Sequence, residues 1–290
     1  MNRHSIEMNH LFYWNGHKNL GDELSLYLVE KITNKKFIAT RPPFTHPTLS
    51  AIGSLLTYKI LSTNLVVWGT GTLTETHLLP TPLKIFPLSH LLKDLKRRFT
   101  SLQPDIRAVR GPKTKKLLND IGIKCPSVYG DPAILMPSFY QPKLTEHKYQ
   151  FGIILHHTQN KRINTTTLNS LGIKFISIER EGNEEIESFI DEVCSCKAIF
   201  SSSLHGIVLA QAYGIPAQWI QVTDLPIQKN NTHKFHDYFL GADQIIQQPV
   251  RLTLTLPALN SLVYTTHPPK IRPFRNTRKL LDLFPFEILV

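Results

Sequence analysis

The sequence is poor in cysteine and has no long apolar run. Its three cysteines, Cys125, Cys194 and Cys196, are too few and too irregularly spaced for a disulfide framework, and the Cys194/Cys196 pair lacks the second pair that a structural zinc site needs. No stretch approaches the roughly 18 apolar residues of a membrane span, and the first residues show no apolar signal segment. We therefore expect free, buried thiols and a cytoplasmic protein.

Several sequence motifs are also missing. The chain contains neither a Walker A loop nor a GxGxxG fingerprint, so a standard nucleotide-binding turn is not indicated. It has no Asp-x-Asp pair and no histidine and cysteine cluster, and we expect no metal cofactor. It also lacks a zinc finger and an RNP-like aromatic pattern, which argues against a nucleic-acid-binding protein.

The charge that is present is positive and unevenly distributed. Lysine and arginine number 33 against 22 aspartates and glutamates, for a net charge of +11. Residues 1–150 hold 20 basic and 10 acidic residues, so nearly all of the excess lies there. Such a field attracts anions, whether a phosphorylated metabolite, an acidic glycan, lipid headgroups or nucleic acid.

Short apolar runs alternate with segments of helical period, which is typical of parallel βαβ units. Strands are predicted at residues 10–14, 64–71, 106–109, 150–157, 173–178, 197–203 and 217–222, with helices beginning near 23, 112, 165, 183 and 204. The fold class is therefore α/β, with a doubly wound, Rossmann-like arrangement.

A linker divides the chain. Residues 137–149 contain two prolines, mixed charge and no periodicity, as linkers do. We predict two Rossmann-like domains that face a cleft, at residues 1–140 and 150–250, with a C-terminal extension over 251–290 that packs back on the first domain. Ligands of such folds bind outside the carboxyl ends of the strands, so the cleft is the expected site.

The sharpest candidate site lies where a predicted buried strand meets a predicted helix. Ser201, Ser202 and Ser203 end the strand, and His205 and Gly206 fall in the first helical turn. A helix N-terminus offers free N–H groups and a positive dipole end to a phosphate or carboxylate. His205 is therefore a candidate general acid or anion partner, although serine N-caps with a structural histidine fit the same pattern.

Other strand ends give weaker signals. Gly21 and the pair Gly69 and Gly71 would let a backbone approach a ligand closely. Asp22 is placed equally well as a helix N-cap or as a catalytic base. Two further strand-end candidates are Arg110, whose forked cation suits a carboxylate or phosphate, and His156 as a lining residue.

Eight short motifs occur in an order and spacing that resemble the polysaccharide pyruvyl transferase family over roughly residues 10–240. They are NLGDEL, IGSLL, WGTG, AVRGP, VYGDPAIL, GIILHH, SSSLHGIVLAQAYGIP and KFHDYF. The resemblance implies a two-domain, GT-B-like transferase that moves pyruvate from phosphoenolpyruvate onto sugar hydroxyls as a cyclic ketal, without a metal.

The resemblance also implies roles for individual residues. His205 corresponds to the family's helix-start histidine and Arg110 to its arginine before a turn. Gly21-Asp22 corresponds to the acidic loop, and Asp131 lies in the GDPA turn. Many relatives have an arginine two residues before the histidine, whereas this chain has Ser203, so Arg110 or a lysine of the basic half would have to supply that cation.

Two other functions remain open from the sequence. One is a GT-B glycosyltransferase that uses a nucleotide sugar; the other is a non-enzymatic nucleic-acid-binding protein. If the chain is a pyruvyl transferase, its partners would be phosphoenolpyruvate and a lipid-linked or polymeric glycan. The basic clusters would then suit peripheral contact with the anionic inner face of the cytoplasmic membrane; they comprise Lys93, Lys96, Arg97 and Arg98, and Lys113, Lys115 and Lys116.

Overall fold

Two parallel five-stranded sheets form the framework of the protein, which we describe from a computed structural model. The structure describes residues 9–16, 18–78, 103–143, 146–162, 165–225, 227 and 232–289. The first sheet contains β1 (Asn9–Leu11), β2 (Phe37–Ala39), β3 (Thr48–Ser50), β4 (Leu65–Trp68) and β5 (Asp105–Ala108). The second contains β6 (Tyr149–Ile154), β7 (Ile173–Phe175), β8 (Cys196–Ser201), β9 (Ala217–Val222) and β10 (Val250–Leu252).

Helices connect or cover these strands. Within the described residues they are α1 (Leu20–Thr33), α2 (Pro112–Asp120), α3 (Thr165–Ser170), α4 (Asn183–Cys194), α5 (Leu204–Ala212), α6 (Thr232–Gly241), α7 (Leu256–Thr265) and α8 (Thr277–Asp282). Three 3-10 segments lie at Pro132–Ser138, His157–Arg162 and Phe286–Ile288. The α/β class predicted from the alternating pattern is confirmed.

The two sheets share one strand order. The first runs β2-β1-β3-β4-β5 and the second, read from its far edge, runs β7-β6-β8-β9-β10. In both sheets the second strand pairs with one side of the first strand, and the third strand pairs with its other side. The strand order therefore reverses between β1 and β3 and between β6 and β8, and these are the switch points. Ligands of doubly wound sheets bind at such points, outside the carboxyl ends of the strands.

The strand predicted over residues 10–14 is wrong in its second half. The sheet pairing of β1 stops at Leu11, apart from one further bond of 2.7 Å that the Phe12 N–H donates to the Leu49 carbonyl. After this bond the chain turns away from the sheet, and Trp14 is half exposed.

Helix α1 joins the halves of the protein. Its residues Leu20, Leu24 and Leu28 are completely buried at helical spacing and belong to a core that also contains Ile186 and Phe189 of α4. The Leu20 N–H donates to the Ile178 carbonyl at 3.0 Å. One continuous apolar core therefore serves both sheets, and burial of this kind contributes about 25 cal/mol per Å² of apolar surface.

A buried ion pair makes a second connection between the halves. Arg110 follows β5, Asp237 lies in α6, and the distance from the arginine Nε to the Asp237 Oδ2 is 3.3 Å with both side chains fully buried. Asp237 also accepts bonds from the Thr114 N–H (3.0 Å) and hydroxyl (2.7 Å) in α2. Helix α6 is thereby fixed against the end of the first sheet.

The C-terminal segment contacts both sheets. Leu259 and Leu262 of α7 pack with residues of the second sheet. Beyond them, the Leu280 carbonyl of α8 accepts a 2.7 Å bond from the Trp68 indole, and Phe284 meets the Trp68 ring edge-on at 4.9 Å. Residues after 275 therefore cover the carboxyl end of β4.

We expect Asp237→Asn to lower the free energy of unfolding by about 3–5 kcal/mol, because it leaves the Arg110 charge buried without its partner. Urea unfolding followed by circular dichroism measures the change. Asp282→Asn is the matched control, since Asp282 is exposed in its pair with Arg278 and such pairs contribute little. Equal urea midpoints for the wild type and Asp237→Asn would show that this pair does not hold α6 in place.

Candidate active site

A cavity of about 440 Å³ opens where the switch points of the two sheets face each other. The loops after β1 and β3 contribute Phe12, Trp14, Gly53 and Ser54 to its wall. The segments after β6 and β8 contribute His156, Ser203, Leu204 and His205, α1 contributes Asp22, and α6 contributes Lys234. Further lining residues include Asn19, Lys59 and His77. Both halves of the chain therefore build one site.

His205 lies in the first turn of α5 and lines the cavity with a side chain that is 13% exposed. Its Nε2 is 3.6 Å from the Oδ2 of Asp131, a carboxylate that is fully buried behind it. Asp131 is itself fixed, because its Oδ1 accepts a 3.1 Å bond from the Ala133 N–H. The 3.6 Å separation between the Nε2 and the Oδ2 is too long for a hydrogen bond, and neither atom has another hydrogen-bond partner among the described residues, so the carboxylate acts on the imidazole as a nearby buried charge.

Gly21 is a glycine because His205 occupies the space where a side chain would be. A Cβ placed on Gly21 would lie 2.0 Å from the His205 Nδ1. Gly21 therefore does not line the cavity itself; it allows α1 and the start of α5 to approach each other with the imidazole between them.

Asp22 is the one carboxylate among the described residues that line the cavity. Asn19, and not Asp22, occupies the N-cap position of α1, and the Asn19 amide donates a 2.6 Å bond to the Asp22 Oδ2. Burial raises the pKa of Asp22, while His205, the bond from Asn19 and Lys234 partly oppose the increase. A buried carboxylate with a raised pKa is suited to accept a proton.

The three serines have different positions. Ser201 and Ser202 are buried and bonded within the protein, because Ser201 exchanges bonds with the backbone of Ser203, and Ser202 bridges Gln159 and the His156 N–H. Ser203 is the serine that lines the cavity, at the N-cap position of α5, and its side chain makes no capping bond. The first N–H groups of α5 therefore lie beside an uncommitted hydroxyl.

Two basic side chains in the wall have pKa values that are lowered from their ordinary values. The pKa of His156 falls to about 3, because of burial and then the nearby charges of Lys234 and His157. The pKa of Lys234 falls to about 8 through burial and the charge of Arg110, while Asp22 acts in the opposite direction. His156 is therefore neutral at pH 7, whereas Lys234 is mostly charged.

Arg110 supports the wall from behind and does not line the cavity. Its guanidinium is completely buried, donates a 2.6 Å bond to the Ser54 hydroxyl and another to the Thr72 carbonyl, and pairs with Asp237. Because these groups occupy the fork, the structure gives Arg110 a supporting position behind Ser54.

The remaining predicted glycines are in close packing. A Cβ on Gly69 would lie 2.3 Å from Pro132, one on Gly71 would lie 2.6 Å from the Arg110 guanidinium carbon, and one on Gly206 would lie 2.4 Å from the Ser201 hydroxyl. Gly69 also has a φ of +98°, which favours glycine. These residues shape the supports of Asp131, Arg110 and Ser203 and do not contact the cavity.

Of the predicted site residues, the structure brings Asp22, His156, Ser203 and His205 together in the wall. Sequence reasoning assigned no role to Asn19, Ser54 or Lys234, although each lies inside a motif quoted above: NLGDEL, IGSLL and KFHDYF. The missing signal was their common location, because the three residues are far apart in the sequence.

The basic clusters are only partly described. Lys93, Lys96, Arg97 and Arg98 lie outside the described residues. In the other cluster, Lys116 pairs with Asp120 at 2.6 Å and Lys113 lies 3.7 Å from Glu75. Among the helices of the described segments, none is long and apolar enough to cross a bilayer.

We expect Gly21→Ala to destabilise the protein by about 1–3 kcal/mol, because its methyl group would overlap His205. The same substitution in a His205→Ala background should be nearly neutral, since the overlapping ring is then absent. Thermal unfolding of the four proteins gives the coupling free energy of this double-mutant cycle. Additive effects would contradict direct contact between Gly21 and the imidazole.

Two comparisons with known proteins bear on this site. One relative is an uncharacterised protein of Acanthamoeba polyphaga mimivirus, which is 25% identical over 223 residues, covering 76% of this chain and 69% of the viral protein. The family described as polysaccharide pyruvyl transferase matches residues 19–222, a range that contains every residue named in the cavity wall except Phe12, Trp14 and Lys234. The chain therefore belongs to the polysaccharide pyruvyl transferase family, a family of transferases.

Proposed function

We propose that the protein transfers pyruvate from phosphoenolpyruvate to two hydroxyl groups of a sugar in a surface polysaccharide or its lipid-linked precursor, forming a cyclic ketal. The observation that carries this proposal is the cavity shared by the two switch points, in which His205, backed by Asp131, lies close enough to Asp22 to influence its pKa. Family membership supplies the reaction class.

The reaction needs an acid, a base and a site for an anion. The methylene carbon of the enol gains a proton and the neighbouring carbon becomes electron-deficient. A sugar hydroxyl adds to that carbon and loses its proton. The carbon–oxygen bond to phosphate then breaks, inorganic phosphate leaves with the bonding electrons, and the second hydroxyl adds and loses its proton. One donor and one diol therefore give one ketal and one phosphate.

The cavity residues suit these roles. We assign His205 as the acid, since its imidazole is partly accessible and backed by a carboxylate. Asp22 is the base, because its burial favours the protonated form that it reaches in the reaction. The N–H groups at the start of α5, together with Ser203, form a site for the phosphate.

The paired sheets support a GT-B-like architecture for this reaction. In this proposal residues 1–140 form the basic, acceptor-side domain, residues 150–250 form the donor-side domain, and residues 251–290 return to the first domain. A cleft between them would allow donor and acceptor to enter from different sides. The glycan acceptor, rather than a nucleic acid, would then account for the positive charge of the first half.

We expect His205→Ala to reduce transfer by about 10²–10⁴-fold, the range that a general acid contributes. The measurement is phosphate release from phosphoenolpyruvate across a panel of sugar acceptors, with mass spectrometry of the ketal product. His267→Ala is the matched control, because His267 is exposed and does not line the cavity.

Near-native turnover by His205→Ala would contradict the assignment of His205 as the general acid. Absence of phosphate release by the wild type with phosphoenolpyruvate, combined with turnover of a nucleotide sugar, would favour the glycosyltransferase alternative.

The rate of phosphate release should stay the same in excess EDTA, because we propose a metal-independent reaction. Loss of activity that magnesium restores would contradict this.

A lipid-linked acceptor would bring the protein to the inner face of the cytoplasmic membrane, and we propose peripheral contact through the basic first half. Each basic residue near an anionic surface contributes about 1 kcal/mol. Co-sedimentation should show binding to anionic but not neutral vesicles, lost at high salt and weakened by Lys96→Glu with Arg97→Glu. Equal recovery in the supernatant with both vesicles at low salt would contradict membrane contact.

A further inference from the structure

Lys234 is a buried cation without a partner in the wall of the cavity. The residue is 8% exposed and lies at the third position of α6. Its Nζ is 5.6 Å from the centroid of the Phe235 ring. Within the described part of the chain it makes no ion pair and no hydrogen bond, and the carboxylate that affects its pKa is Asp22.

The surroundings hold Lys234 in this position. Its neighbour His233 is buried and joined to the Thr72 hydroxyl at 2.8 Å. One turn later, Asp237 bonds to Thr114 and pairs with Arg110. The start of α6 is therefore fixed on both sides of Lys234, which holds its side chain in the wall of the cavity.

A buried ammonium group without a partner lowers stability, because it has lost water and gained no compensating bond. Arg110, its neighbour in the network, has bonds to Ser54 and Thr72 and a carboxylate partner. Lys59, another cation of the cavity wall, is exposed to solvent. Lys234 is thus the cation in the described wall whose charge is both desolvated and unused.

We propose that Lys234 binds an oxyanion of the donor. The inference rests on the proposed function and adds a residue to it. Ser203 and Lys234 line the same cavity, and the small serine leaves room there for the lysine to meet the ligand.

The test compares anion binding by the wild type, Lys234→Met, Lys234→Arg and Lys197→Met, using isothermal calorimetry with phosphoenolpyruvate, inorganic phosphate and pyruvate. Lys234→Met should weaken phosphoenolpyruvate binding by about 10- to 100-fold, the loss expected for a hydrogen bond to a charged group. Lys197→Met should change it less than threefold, because Lys197 is exposed and does not line the cavity. Whether phosphate or pyruvate binding falls with it identifies the oxyanion that Lys234 contacts.

Two further readouts separate binding from a structural role. Unliganded Lys234→Met should unfold at the same temperature as the wild type or higher, because a costly buried charge is removed; a structural lysine would give a lower temperature. Phosphoenolpyruvate affinity of the wild type should fall above about pH 8, where free Lys234 loses its proton. Lys234→Arg should not show this fall, since an arginine at this position keeps its charge throughout the range. The other charged or titratable groups near this side chain, Asp22, Arg110 and His156, are the same in both proteins.

An arginine introduced at Ser203 tests whether the two wall positions can reach the same ligand. Ser203→Arg in the Lys234→Met background should recover at least tenfold of the lost affinity. Unchanged phosphoenolpyruvate binding by Lys234→Met would overturn the inference and leave the proposed function standing if transfer persists. Phosphate binding that depends on Lys234 in a protein that does not bind phosphoenolpyruvate would keep the anion site and contradict the donor.

Discussion

The buried contact between Arg110 and Asp237 is the constraint on which the site depends. Its two residues come from opposite halves of the chain, and the contact forces the backbones so close that a Cβ on Gly111 would lie 1.9 Å from the Asp237 carbonyl oxygen. Such a pair need not be worth more than a well-packed apolar contact, but breaking it is costly. Its structural effect is to set the position of α6 relative to the first sheet, and the cavity lies between them.

From this constraint the positions of several site residues follow. Arg110 donates a hydrogen bond to Ser54, in the loop after β3, and forms an ion pair with Asp237 of α6. One guanidinium therefore links two walls of the cavity. On the other side, the imidazole of His205 fills the space between α1 and Asp131. The groups to which we assign the reaction are therefore fixed by buried contacts behind them, which is what a preorganised site requires.

Much of the fold could be predicted from the sequence, but less of the site. Long strands such as β6 and β8, and helices such as α4 with its periodic Ile186, Phe189 and Ile190, have clear patterns. Strands β2, β3 and β10 have three residues each, too few for a periodicity. The strand-end rule located His205 and Asp22, but it could not distinguish Arg110, whose fork is used inside the protein, from Lys234, whose charge is free. That distinction depends on which helix returns to the cleft, and α6 begins about 120 residues after Arg110 in the sequence.

The contrast between these two cations shows how a polar cavity can be stable and still keep groups available for a ligand. Arg110 and Asp237 neutralise each other inside the protein, so their burial leaves no net charge to be solvated. Asp22 and Lys234 are opposite charges in the wall, each with a pKa shifted toward its neutral form by burial. They reduce each other's cost without forming a bonded pair, so each remains able to interact with a ligand. In this proposal the protein accepts a local loss of stability at the residues that would touch the ligand, and compensates for it with the ion-paired network immediately behind them.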